Sequence, residues 1–227
     1  MAPAPKRENR ENAAGCANSD ADVRVVVPEG VAAPSGIPAD VFAATVSAYA
    51  AGRRLDMQSL ARRLGIGRAT LYRQVGSRER LLDEVVWWRS RHALVDAVRL
   101  SSGQRGADRI TAVVSHVLSM AEKDRALHAY LENDPRAALR ILTGVQSKSQ
   151  RCMVGAVERL LELERDRGHL PLDDIPAAAY AIVRISETFL YSDVIADRAP
   201  DVAAAVRMIR AMLVGLGSAD APPARGH

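Results

Sequence analysis

Between Arg68 and Arg78 the sequence gathers side chains suited to reading a nucleic acid: Arg68, Ala69, Thr70, Tyr72, Arg73 and Gln74, then Ser77 and Arg78. An arginine fork can bond guanine O6 and N7 together, and a glutamine amide can pair with adenine in the same two-point way. A helix opening at Ser77 offers free backbone N–H groups, which with the Arg78 charge suit a phosphate. The same residue types also decorate ordinary solvated helix faces, and Tyr72 could be a plain packing aromatic. The surroundings have to decide.

Charge is the first of those surroundings. The 227 residues carry 31 Lys and Arg against 27 Asp and Glu, a formal net charge of +4. Within residues 38–81 stand Arg53, Arg54, Arg62, Arg63, Arg68, Arg73, Arg78 and Arg80, opposed only by Asp40, Asp56 and Glu79. That is eight against three, or +5, so the rest of the chain sums to −1. Positive charge confined to one short segment is the footprint of a nucleic-acid module. For Arg53, Arg54, Arg62 and Arg63, phosphate contact and simple solvation are equally open.

A search for catalytic patterns returns nothing. The sequence has no His-Glu-x-x-His, no Gly-x-Ser-x-Gly, no Walker lysine and no Cys-x-x-Cys. Its five histidines lack a metal-ligand spacing, and Gly65-Ile66-Gly67 lacks the third glycine of a nucleotide loop. The expectation is a protein that is not an enzyme, with no cofactor and no metal. Cys16 and Cys152 are far apart and read as free thiols. No apolar run is long enough for a membrane span, and the charged start lacks a signal-peptide core, so a cytoplasmic, membrane-free protein is expected. Only three of the basic residues are lysines, while alanine is abundant. That pattern suits a GC-rich bacterial genome, and it favours helix over sheet.

The elements that must hold the basic segment are all helical. Pro38 opens a helix with Val41, Phe42, Thr45, Val46 and Tyr49 on one face. Asp56 caps a second from Met57 to Leu64, Gly65 ends it, and a short third helix runs from Arg68 to about Gln74. Two short helices joined so tightly form a helix-turn-helix, packed through Leu60, Ala61, Ile66 and Leu71. Ser77 caps a long helix to about Arg99, and Ser101–Gly106 is a linker. Further helices follow, capped by Asp108, Asp124, Asp134-Pro135, a position near Gly144, Asp173 or Asp174 with Pro176, and Pro200, with Gly217 ending the last. The expected fold is all-α, with nine or ten helices. Its boundaries are a disordered arm at 1–36, a DNA-binding unit at 37–82, a helical body at 83–217 and a loose tail at 218–227. Val23–Val27 could form one short strand, but no partner lies nearby.

The stretch from Leu60 to Leu82 resembles the DNA-binding domain of TetR-type regulators: Leu60-Ala61 at the entry, Gly65-Ile66 in the turn, Thr70-Leu71-Tyr72, then Ser77-Arg78-Glu79 before Leu81. Gly67 stands where that family usually has a polar cap, and Arg73-Gln74-Val75 replaces its aromatic-rich helix end. The resemblance implies a recognition helix in the major groove, with Tyr72 contacting the backbone or a thymine methyl. It also implies a body that binds a small molecule and dimerises through its last two long helices. Two recognition helices one turn apart would read a palindrome. The implied function is a homodimeric repressor released from its operator by an effector; an activator, or a regulator without a ligand, would use the same DNA domain.

The last helix carries Val202, Val206, Ile209, Leu213 and Leu216 at spacings of 4, 3, 4 and 3. Such a seam suits nearly parallel helices and marks them as the expected dimer interface. Arg184, Glu187, Thr188 and Tyr191 share one stripe on an otherwise apolar helix, either to hold a ligand head group or to pair among themselves. Trp88, His116, Met120, Tyr130 and Met153 are further lining candidates, each equally a core residue. The run Arg184–Asp193 resembles the QsdR-like subgroup, regulators tied to breakdown of lactone signals, which implies a lactone-type effector.

Overall fold

A computed structural model describes residues 19–28 and 36–219. A helical segment at 19–26, α1, precedes eleven helices: α2 Ala39–Ala50, α3 Met57–Arg63, α4 Arg68–Val75, α5 Arg78–Leu100, α6 Gly106–Glu122, α7 Arg125–Asn133, α8 Pro135–Thr143, α9 Lys148–Asp166, α10 Ile175–Leu190, α11 Ser192–Ala196 and α12 Val202–Ala219. No strand occurs among the described residues. The helix count exceeds the expected nine or ten, because α11 is split from α10 at Tyr191 and α1 was not foreseen.

Local chemistry sets the helix ends. Asp56, Ser77, Asp124, Asp134, Ser147 and Asp174 each accept a hydrogen bond from a backbone N–H in the first turn of the helix they open. Gly65, between α3 and α4, has φ 67°, a left-handed conformation that suits glycine. Helix α12 runs through Gly217 to Ala219 instead of stopping there. Residues 220–227 of the expected tail lie outside the described residues.

The expectation of a structureless arm at 1–36 is corrected at residues 19–26 by α1, and Val23–Val26, which could have formed part of a short strand, are helical. Residues 1–18 and 29–35 of that arm lie outside the described residues, and Cys16 with them. Val23, Val26 and Val27 are buried in the core that they share with α5, α6, α9, α10 and α12. Asp22 is buried as well, 2.7 Å from Arg109 Nη2, and it also pairs with Arg167. Arg109 donates through Nη1 to Glu164 at 2.8 Å, and Glu164 also accepts from Gly106 N at 2.6 Å. Burial alone would raise both carboxyl pKa values. The hydrogen bonds from Arg167 and Arg109 to Asp22, and from Gly106, Arg109 and His169 to Glu164, outweigh it and hold both below the usual carboxylate range.

Apolar side chains gather into two cores. One lies within the body, on α1, α5, α6, α9, α10 and α12. The other lies under the helix-turn-helix and crosses the expected boundary at residue 82, joining Val41, Leu60, Leu71 and Leu81 to Leu127, Leu131, Ala138 and Ile141 of α7 and α8. The helix-turn-helix is therefore packed onto α7 and α8 by shared apolar burial.

The seam on α12 is also corrected. Ile209 and Leu213 are fully buried in their own chain's body core, and Val202 and Val206 pack against that core. The heptad-like spacing thus seats α12 on α6 and α10 of the same chain. Only Leu216 of the five is exposed, and Met208, outside the seam, is exposed by 57%.

Candidate DNA interface and effector cavity

Helix α4 buries Leu71 and Val75 and turns its opposite face outward. Arg68, Ala69 and Arg73 are exposed, while Thr70, Tyr72 and Gln74 are half-buried. The Arg68 guanidinium lies 5.5 Å from the centre of the Tyr72 ring, which orders both at the start of the helix. Gln74 Oε1 is buried without a hydrogen-bond partner among the described residues, so this side chain is turned partly inward.

The phosphate-binding pair expected at Ser77 and Arg78 is differently employed. The Ser77 hydroxyl accepts from Arg80 N at 3.0 Å as the cap of α5. Arg78 donates through Nε to the Leu55 carbonyl at 2.9 Å and through Nη1 to Asp134 at 3.3 Å. Its charge ties the helix-turn-helix to the α7–α8 junction instead of pointing at a groove. Arg63 is likewise engaged with the Ala44 carbonyl at 2.7 Å.

A cavity of about 770 Å³ lies between the two cores, a size that accommodates drug-like ligands. Leu94, Val113, Val114, Leu118, Val157 and Ile182 supply walls from the body core, and Val86, Leu127, Leu142 and Tyr191 from the other. Tyr49 and Ala50 also line it, and both belong to α2, the first helix of the expected DNA-binding unit.

Of the expected effector residues, Trp88, Met120, Met153, Glu187 and Tyr191 line this cavity. His116, Tyr130, Arg184 and Thr188 do not. Tyr130 is buried in the core beneath the helix-turn-helix, its ring 5.7 Å from that of Tyr49. Thr188 spends its hydroxyl on the Arg184 carbonyl at 2.8 Å. The stripe divides because Val183, Glu187 and Tyr191 form the inward row of α10, while Arg184 and Thr188 stand one residue round the helix. Arg184 reaches Glu187 Oε2 at 2.8 Å and also donates to the Thr143 carbonyl at 2.8 Å. Burial pushes the Glu187 carboxyl up to about 7, with Arg184 and Gln150 pulling the other way. Burial also raises the Tyr191 phenol, helped by the Glu187 charge.

Sequence reasoning passed over Tyr49, Arg89, His92, Asp124 and Gln150, all on the cavity wall. Tyr49 read as a core residue of α2 and Asp124 as a helix cap, and both readings hold as far as they go. His92 stacks edge-on against Trp88 with ring centres 4.5 Å apart, a contact that their four-residue spacing could have signalled.

Comparison with known proteins fits this arrangement. A family model described as "Tetracyclin repressor-like, C-terminal domain" matches residues 105–214. The structure of the transcriptional repressor QsdR of the TetR family, from R. erythropolis, superposes with a TM-score of 0.70 at 27% identity, covering 84% of this chain and 99% of that one. Both comparisons make the chain similar to TetR-family regulators, the first over its C-terminal body and the second over most of its length. A search of curated proteins finds no match. The shared fold is that of a DNA-binding transcriptional regulator. No helix among the described residues is long and apolar enough to cross a membrane.

Proposed function

We propose that this protein is a homodimeric repressor of the TetR family, working in the cytoplasm, whose hold on a palindromic operator is released by a small molecule bound in the cavity between the cores. The observation that carries this reading is the position of Tyr49 and Ala50. Residues of the DNA-binding unit form part of the cavity wall, so an occupant touches that unit directly. A ligand that fits one placement of α2 better than another shifts the population of DNA-competent dimers by its differential affinity.

Arg68, Ala69, Thr70, Tyr72 and Arg73 form the reading face in this proposal, with Arg73 as the guanine-reading candidate. The outward faces of α10 and α12, which expose Tyr180, Met208 and Leu216, form the dimer contact. By analogy with QsdR-like regulators the effector is lactone-type. QsdR of R. erythropolis is a repressor, and that likeness favours the same sense here.

Footprinting on the DNA upstream of the protein's own gene tests the reading. A symmetric footprint of two half-sites, together with a sedimenting dimer, is expected. A single half-site or no protection overturns it, and raised transcription on binding would make the protein an activator.

A further inference from the structure

The cavity holds two buried polar side chains whose needs are unmet or half met. Gln150, at the start of α9, is 5% exposed, and its Nε2 makes no well-formed hydrogen bond among the described residues. Glu187, on α10, is 9% exposed, and its described charge partner is Arg184, which approaches from the outer side of the helix. Gln150 reaches Glu187 in a loose side-chain hydrogen bond that favours the charged carboxylate, which leaves at least one of its two amide N–H groups unmet. Both line the cavity, as do their chain neighbours Ser149 and Ser186, and Tyr191 one turn beyond Glu187. Val113, Val117, Met153, Val157, Ile182 and Leu190 are among the apolar residues of the same lining.

A buried amide N–H without a partner carries the full cost of its lost hydration. In an apolar cavity that cost is recovered by a ligand atom that accepts from it. Above about pH 7, where Glu187 is charged and where the probes below are compared, the carboxylate beside it accepts and does not donate. The ligand group best matched to this pair has an acceptor and a donor within one short head. Of the other polar lining groups, Arg89 and Asp124 are paired with each other and His92 with the Trp88 carbonyl, and most of the remaining lining is Val, Leu, Ile, Met and Ala, which suits an apolar body.

We propose that the cavity selects a molecule with an apolar body and one small head that accepts from Gln150 and donates to Glu187, as a hydroxyl or a primary amide does. An ester, or a lactone without its own O–H or N–H, would set a carbonyl oxygen against the carboxylate. A hydrocarbon would leave the Gln150 N–H unpaired. The inference rests on reading the cavity as the effector site and adds which end of the effector is recognised, and by what.

The test uses the full-length protein and four probes that share one chain and differ at the head: decanol, decanamide, methyl decanoate and decane. Binding is followed by the indole emission, since Trp88 lines the cavity, and by the shift in unfolding temperature. Decanol and decanamide are expected to bind at least about tenfold more tightly than methyl decanoate, the factor one hydrogen bond of about 1.4 kcal/mol supplies. Decane is expected to bind most weakly. Glu187→Leu and Gln150→Leu, on separate helices, should each reduce that preference. Equal affinity for all four heads, binding of none, or an undiminished preference in both variants overturns the proposal. The native series decides even if a variant fails to fold. Release of upstream DNA is measured in parallel. Head discrimination without release keeps this proposal and sinks the effector reading; release by all four probes alike does the reverse.

Discussion

Arg89 grips Asp124 through two nitrogens, Nε at 3.1 Å and Nη2 at 2.7 Å, while its guanidinium lies 5.6 Å from the centre of the Tyr49 ring. Asp124 simultaneously caps α7, accepting from Ala126 N at 2.9 Å. Three helices, α2, α5 and α7, therefore meet at one ion pair on the cavity wall. Asp124→Ala removes both the cap and the pair and should cost about 1–3 kcal/mol, mostly the cap, because a pair open to water is worth little. Asp124→Asn keeps a capping oxygen and should cost distinctly less. Urea denaturation measures both; equal losses would place the stabilisation in the charge pair instead.

Arg73 and Arg78 should separate in their effect on DNA binding. Arg73 is exposed on α4. If it reads guanine, Arg73→Ala costs about 1–3 kcal/mol on the operator and little on random DNA. A uniform loss on both, with a shallower salt dependence, would make it a phosphate contact.

Arg78 is committed to Leu55 and Asp134, so Arg78→Ala should lower stability by about 1–3 kcal/mol, the range for charged hydrogen bonds. The slope of log K against log salt should stay unchanged. A slope reduced by about one unit would restore Arg78 as a phosphate ligand.

These two arginines also show how far the sequence could be read. The helix-turn-helix was legible because capping residues, turn glycine and apolar spacing are local, each acting within a few residues of itself. Arg78 falls in the same local pattern as Arg73, and what separates them is Asp134, 56 positions away in the chain. The same holds for α1. Asp22 and the valines at 23, 26 and 27 have no helix signal strong enough alone, and their stability comes from Arg109, Arg167 and the body core. In α12 the spacing correctly announced a packed face but could not say whose surface it packs on. The cavity was half legible. An inward row on α10 follows from helical period, but Gln150 and Tyr49 reach the wall only through tertiary placement.

Glu187 makes stability depend on pH. Its carboxyl is raised from an ordinary value of 4.5 to about 7 by burial. Below 4.5 the folded and unfolded chains both hold the proton. Between 4.5 and 7 the unfolded chain releases it while the folded one keeps it, so stability falls as pH rises through this window and its contribution is constant above it. Glu187→Gln abolishes the effect. Its unfolding temperature should gain on the native protein from pH 4.5 to 7, then hold the gain. A gap that stays flat would mean that the carboxylate is as well solvated folded as unfolded.

The dimer surface can be separated from the core that it resembles in sequence. Leu213 is fully buried within its own chain, whereas Met208, five residues earlier on α12, is exposed, as is Tyr180 on the neighbouring α10. Leu213→Glu puts an unpaired carboxylate into the body core and should destabilise by about 4 kcal/mol or more, unfolding the chain before any assembly is tested. Met208→Glu places its charge on a surface that is open in the single chain, so folding should be retained, and only a partner copy would have to bury that charge. Sedimentation of folded Met208→Glu should therefore show monomers, with helicity by circular dichroism unchanged. A folded dimer would move the interface away from the outward faces of α10 and α12. Monomers from Leu213→Glu with full helicity would return it to the seam.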